Sequence, residues 1–346
     1  MRKALRAYVL SLYQDKSFYI LIAFNILLTK LIFGIYDIKT KLSLSLYSVI
    51  FGAAGQIILI SLIIYYISYL VVKRPVSPLT VLFNCVMKPL RTPNILATFL
   101  TQLFFINIML SCYTSIKSTI GTVFPFRFDE YFLMLDNYIH LGLQPWQYTH
   151  FIFSSSYATA IINIIYNSWF FVVWITLFYF MCQTTLIRKN FLIGFSLCWI
   201  IIGGFFAILM SSAGPCFLEN ININHDLTLN LFQRLEIQNR MLIDNDWPSL
   251  WSIATQEHLW QEHVTSITSL GSGISAMPSM HVSISVFMTL SVYTIHKIVG
   301  MLFGLFTIAI FIGSIHLGWH YAVDGYVSLI LTFLIWFGIN HKYKTK

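Results

Sequence analysis

Charge is scarce in this chain. Asp, Glu, Lys and Arg make up 10% of its 346 residues, against about 25% in an ordinary soluble domain. With 57% hydrophobic residues and a mean hydropathy of +0.74, one water-facing domain could not bury the apolar surface, so lipid must be the solvent for much of it. That excludes a soluble globular enzyme. Cysteine is sparse too: the 5 present include no CxxC pair, which excludes a thiolate zinc site and a dithiol redox motif. Low-complexity segments, internal repeats and heptads are missing, so disorder, solenoids, collagen and coiled coil are excluded. No basic-aromatic module of the kind that binds RNA or DNA is present, and the formal charge of +8 needs another cause.

What is there is apolar helix. A crossing needs roughly 20 mainly apolar residues, and stretches near 17–36, 44–72, 95–116, 157–182, 191–212, 280–296, 298–316 and 321–340 supply them. The basic N-terminus lacks a small-residue cleavage site before the first stretch, which reads as an uncleaved span rather than a signal peptide. The Pro-rich basic segment at 73–94 suits a cytoplasmic interfacial anchor. Residues 123–150 mix aromatic and charged side chains like an amphipathic segment lying in the headgroups; in the functional alternative, Arg127, Asp129 or His140 faces the substrate. The longest polar stretch, 213–275, is expected to hold short helices such as 227–243. With eight spans both termini share a side. Most basic residues fall there, including Arg2, Lys3, Arg6, Arg188, Lys189 and Lys342, with Asp15 as the one carboxylate. The positive-inside rule makes that side cytoplasmic and the polar loops external. The net charge therefore reports topology.

Ionisable residues at a membrane boundary are costly and are functional candidates by default. GSGISAMPSMHVSISV leads into the sixth span and GSIHLGWHYAVDGYVS joins the seventh to the eighth, so both lie at the external boundary. His316, His320 and Asp324 recur every four residues, a spacing that predicts one helical face. Asp324 would orient His320 and leave its second nitrogen free as nucleophile. His281 would protonate a leaving oxygen. Ser279 and the amides beside it would hold an anion at a helix N-terminus. Trp319 and Tyr321 read as interface aromatics. His225, His258 and His263 have no metal-closing spacing, and HLWQEH is not HExxH; neither metal nor cofactor is expected.

MPSMH at 277–281 and HYAVD at 320–324 resemble the second and third motifs of the type-2 phosphatidic acid phosphatase superfamily, which also holds vanadium haloperoxidases and sphingolipid phosphotransferases. The variants are closer to its inositol phosphorylceramide synthase-like branch. The resemblance is firm over about 270–330; upstream, SSAGP at 211–215 sits where a first motif would be. It implies an all-α polytopic membrane helix bundle of about eight transmembrane helices with a phosphatidic acid phosphatase-like core. The single integral domain, 1–346, would comprise a two-span extension, 1–94, and a catalytic core, 95–340, with 213–275 as outer loop. It also implies His320 as nucleophile, Asp324 as its partner, His281 as acid and Ser279 as phosphate ligand.

The sequence departs from the phosphatase pattern. The first-motif Lys and Arg-Pro are missing, and Ser314 stands where the third motif has Arg. A phosphoryl group still needs positive charge in the transition state. Arg127, Arg234, Arg240, Lys117 and a protonated His316 are the external candidates, of which Arg127 and Arg240 are favoured. The expected partners are a lipid phosphate substrate and membrane lipids, with no nucleic acid, and the compact loops fit a bacterial inner membrane. The acceptor, water or hydroxyl, separates phosphatase from transferase. A transporter or scaffold without the reaction is the competing class, and vanadate binding discriminates the two.

Overall fold

The computed structural model describes residues 2–38, 46–82, 93–223, 226–265, 269 and 271–342. Helices form where the apolar runs predict them: α1 (Arg2–Gln14), α2 (Lys16–Ile35), α3 (Leu46–Lys73), α4 (Pro93–Lys117), then two short helices, α5 (Asp129–Ile139) and α6 (Pro145–Ile152). They are followed by α7 (Ser156–Met181), the composite α8 (Thr185–Leu209), and two polar helices, α9 (Asp226–Asp244) and α10 (Trp251–Thr265). The chain finishes with α11 (Met280–Ile295), α12 (Lys297–His316) and α13 (Ala322–Lys342). Among the described residues there is no strand. In lipid, backbone groups must be satisfied within the segment, and helices do this.

Six of these helices, α2, α4, α7, α8, α12 and α13, are long and apolar enough to cross a membrane. The other two expected spans are also helical, but fall short on the apolar criterion: α11 has 16 residues, and in α3 the apolar part is Leu59–Lys73. The position of α11 explains its composition. It packs against α7, α8, α12 and α13, so Ser283, Ser285 and Ser291 on it are buried in protein rather than lipid. The Ser283 hydroxyl is bonded to Thr332 of α13 at 2.9 Å. Of the interfacial segment at 73–94, residues 83–92 lie outside the described residues, as does His225.

The middle of α8, Cys198–Phe206, winds as a π-helix, a wider geometry that is frequent at functional sites. There Gly203 brings the backbone close to the Tyr113 ring and the Met280 sulfur. At the end of the bundle carrying the N-terminus, the fully buried Asp15 receives Gln102 Nε2 at 2.7 Å and pairs with Arg188 at 3.1 Å. This bond joins the start of α2 to α4 and α8.

At the opposite end, the expected headgroup helix at 123–150 is instead built into the protein. Along α5, Asp129, Phe132, Leu133 and Asp136 are buried, against the loops that carry both histidine motifs. The long polar stretch contains α9, as expected at 227–243, and also α10.

Candidate active site

Three loops meet at this end. In the first, SSAGP, the Ser212 carbonyl receives the Ala276 amide at 2.9 Å and its hydroxyl receives the Met277 amide at 3.2 Å, tying it to GISAMP. Gly214 takes φ +101, and a Cβ there would meet the Trp319 carbonyl oxygen at 2.8 Å and Ala276 Cβ at 2.9 Å. Only glycine combines that dihedral with that approach. SSAGP thus supplies no cation; it is the wedge that registers the other two loops.

The second loop leads into α11. Ser279 is fully buried and its Oγ accepts the Val282 amide at 3.5 Å as N-cap, so its hydroxyl is engaged in starting the helix. His281 follows one position inside. Its ring lies on Tyr166 (centroids 4.7 Å, interplanar 20°) and near Trp169 (4.2 Å), with Phe170 edge-on at 5.7 Å. The Trp169 indole donates to the His281 carbonyl at 3.1 Å. The imidazole is therefore fixed by aromatic faces, and its Nε2 has no protein partner.

The third loop breaks the expected single face. The four-residue spacing of His316, His320 and Asp324 predicts a continuous helix, but α12 ends at His316 and α13 starts at Ala322. The Ser314 carbonyl receives the amides of Trp319 (2.9 Å) and His320 (3.1 Å), and Gly318 turns with φ +75. The position where the family carries Arg holds this turn. His316 stays on the far side, stacked on His150 at 3.8 Å and bonded to Thr159 at 2.9 Å and Thr149 at 3.2 Å. It is packed between α6 and α7 and does not line the cavity. Beyond the turn, Asp324 Oδ2 accepts both the Tyr321 amide and His320 Nδ1–H, each at 3.1 Å. This leaves His320 Nε2 as the free nitrogen.

His281 and His320 approach each other with ring centroids 6.4 Å apart and planes at 59°. Both line one cavity of about 240 Å³. Burial above all, with the Lys117 ammonium adding to it, pushes the His320 imidazole down to about 3 against the nearby Ala276 carbonyl. A neutral ring with its lone pair available follows. Lys117, the last residue of α4, lines the same cavity, its Nζ donating to the Gly271 carbonyl at 3.3 Å. Among the described lining residues it is the one Lys or Arg.

The favoured cations lie elsewhere. Arg240 is exposed and ion-paired with Glu236 at 3.5 Å on α9; Arg127 is exposed and outside the cavity lining. Arg234 donates to the carbonyls of His150 and Ser154. His140 donates from Nδ1 to the Asp136 carbonyl and faces the Tyr326 hydroxyl at 3.0 Å, again away from the cavity. Composition shows that cations are present, but only packing selects one of them.

Sequence reasoning missed the role of α5. Asp129 receives the amides of Ala213 and Gly214, each at 2.8 Å, and the Tyr321 hydroxyl at 3.0 Å. Burial raises its carboxyl while the two amides oppose that. Asp136 receives the amides of Ala322 (2.7 Å) and Val323 (3.0 Å), capping α13. Tyr321 is thus no interface aromatic but a buried strut, and Trp319 lines the cavity. The available signal was a pair of carboxylates seven residues apart in a segment otherwise rich in Phe, Tyr and Leu. Asp129→Asn removes charge from bonds worth about 1.5–3 kcal/mol each. It is expected to lower the melting temperature in detergent and cut turnover about tenfold or more; an unchanged melt and rate would show that the clamp is dispensable.

His150, outside the spans, donates from Nε2 to the His316 carbonyl at 2.9 Å. Burial pushes it down to about 4 from 6.5, with Arg234 contributing. Below pH 6.5 the unfolded chain takes up a proton that this folded imidazole refuses until about 4, so its contribution is present above 6.5 and lost as pH falls through that window. Asp136, pushed up to about 6 mainly by burial, acts in the opposite sense. The comparison is therefore between slopes: melting temperature should fall less steeply from pH 7 to 5 in His150→Gln than in the parent, and parallel slopes would refute this.

With the geometry described, comparison with known proteins can be reported. Searches of curated proteins and of solved structures return no match. A family model described as the PAP2 superfamily matches residues 130–337. The match takes in both histidine loops, Asp136 and SSAGP, and begins beyond Lys117 and Asp129. Covering more than half the sequence, it shows that this chain, an all-α polytopic membrane protein, belongs to the PAP2 superfamily of phosphatases and phosphotransferases.

Proposed function

We propose that the chain is a membrane-embedded lipid phosphatase or phosphotransferase that cleaves a lipid phosphoester or pyrophosphate through a phosphohistidine on His320. The observation carrying this reading is the convergence of His281, His320 and Lys117 on one cavity, with the two rings 6.4 Å apart. His320 Nε2 attacks phosphorus, and Asp324 at Nδ1 stabilises the imidazolium character that develops. The bond from phosphorus to the leaving oxygen breaks as His281, protonated beside the substrate's anionic charge, gives that oxygen its proton. Neutral His281 then takes a proton from water or an acceptor hydroxyl, whose oxygen attacks the phosphohistidine and frees His320. Lys117 offsets the charge on the equatorial oxygens. The basic-residue asymmetry supports an external site, with the tail held in the bilayer.

Purified protein incubated with a panel of lipid phosphates, with and without polyol acceptors, should release phosphate or form a new phospholipid, scored by mass spectrometry. Vanadate, a mimic of five-coordinate phosphorus, should inhibit. A protein that turns over none of the panel and ignores vanadate would be a scaffold or transporter.

A further inference from the structure

The cavity is much larger than a phosphate needs, and its wall carries hydrogen-bond donors without partners. Trp174 and Trp199 are 6% and 8% exposed, and Tyr166 is 4% exposed. Neither the two indole nitrogens nor the phenol oxygen has a protein partner, and the same holds for the indole nitrogen of Trp319. All four residues line this one cavity. Trp169, beside them, shows the ordinary arrangement, its indole satisfied by the His281 carbonyl. Buried Trp and Tyr usually find a partner, and donors left dry are costly. Their clustering on one wall points to acceptors that the protein itself does not supply.

Their depth says where those acceptors belong. Tyr166 stacks on His281, at the level of the phosphate. Trp174 is two turns further along α7, about 12 Å at the helical rise. Trp199 packs edge-on against Tyr113, at 4.6 Å, one turn below Lys117 on α4. The donors therefore run from the reacting centre into the depth of the bundle, among apolar side chains such as Leu110 and Val173. Glycerolipids and sphingolipids carry ester or amide carbonyls and hydroxyls a few bonds beyond the phosphate, followed by hydrocarbon. A polyprenyl phosphate carries hydrocarbon from its first carbon and would leave every one of these donors dry.

We infer that Tyr166, Trp174 and Trp199 select a substrate whose phosphate is attached to an oxygen-bearing lipid backbone, against an all-hydrocarbon polyprenyl phosphate. The inference rests on the lipid phosphoesterase reading and assigns specificity within it. The selecting groups lie on α7 and α8 and take no part in bond breaking.

The test uses the full chain in detergent micelles with three substrates: phosphatidic acid, ceramide 1-phosphate and a polyprenyl phosphate. Phosphate release from the first two should exceed that from the polyprenyl phosphate at least tenfold in kcat/KM. Trp174→Phe and Trp199→Phe keep the ring packing and delete only the N–H. Each should lower kcat/KM for the oxygen-bearing lipids about fivefold or more, mainly through KM, and shrink the preference by a similar factor. Affinity of the His320→Ala protein for a diacyl phosphonate, read by calorimetry, should fall by the same factor when Trp174→Phe is added. Equal use of the polyprenyl phosphate, or a preference and an affinity unmoved by the Phe variants, would overturn the inference while leaving the enzymatic reading intact. No turnover of any of the three lipids by the parent protein, with no vanadate binding, would overturn both.

Discussion

His320→Ala is expected to abolish turnover of the lipid phosphate, a loss on the order of 10⁴-fold or more, because no other group in the cavity occupies the nucleophile's position. The ring has one nitrogen committed to Asp324 at 3.1 Å and the other free, and removing it removes the bond to phosphorus. His281→Ala is expected to cost about 10²–10⁴-fold, the usual range for general acid catalysis. The two losses have different chemistry and can be separated. An aryl phosphate whose leaving group needs no proton should recover much of the rate in His281→Ala and none in His320→Ala. His258, 66% exposed and paired with Glu262, is the control, and His258→Ala should leave the rate unchanged. Full activity in either of the first two variants would refute the mechanism.

Lys117→Met is expected to lower kcat about 10²–10³-fold, the usual effect of removing one preorganised donor to a developing oxyanion, and to weaken vanadate inhibition. Lys117→Arg should retain more activity than Lys117→Met, since charge rather than shape is the main requirement. Arg127→Ala and Arg240→Ala should remain within about twofold, as expected of exposed surface charges whose pairs are worth little. The comparison is decisive because composition favoured those arginines: a larger loss in Arg240→Ala than in Lys117→Met would return the phosphate to the outer helices. Gly273 supports the lysine assignment. It takes φ +88, and a Cβ there would meet the Lys117 carbonyl carbon at 2.7 Å, so the GSG loop lies directly on the end of α4.

Particular residues show what was legible from the chain alone. Span ends fell within a few residues of the helices because the hydrophobic run is a local property: 157–182 became Ser156–Met181 and 298–316 became Lys297–His316. The same local logic misled at His316, where a regular spacing was interrupted by a turn that Ser314 and Gly318 build. It misled again at 123–150. Amphipathic composition there could mean headgroups or protein, and the buried carboxylates of Asp129 and Asp136 show that it means protein.

The chain by itself determined that lipid is the solvent, where the helices run, and that two imidazoles and a carboxylate lie at one boundary, because hydropathy and motif spacing are written in consecutive residues. Which cation faces those rings, which carboxylates clamp the loops and which indoles line the cavity were decided only in three dimensions. Lys117 and His320, or Asp129 and Tyr321, meet across nearly two hundred residues, and a contact of that separation is chosen by how whole helices pack.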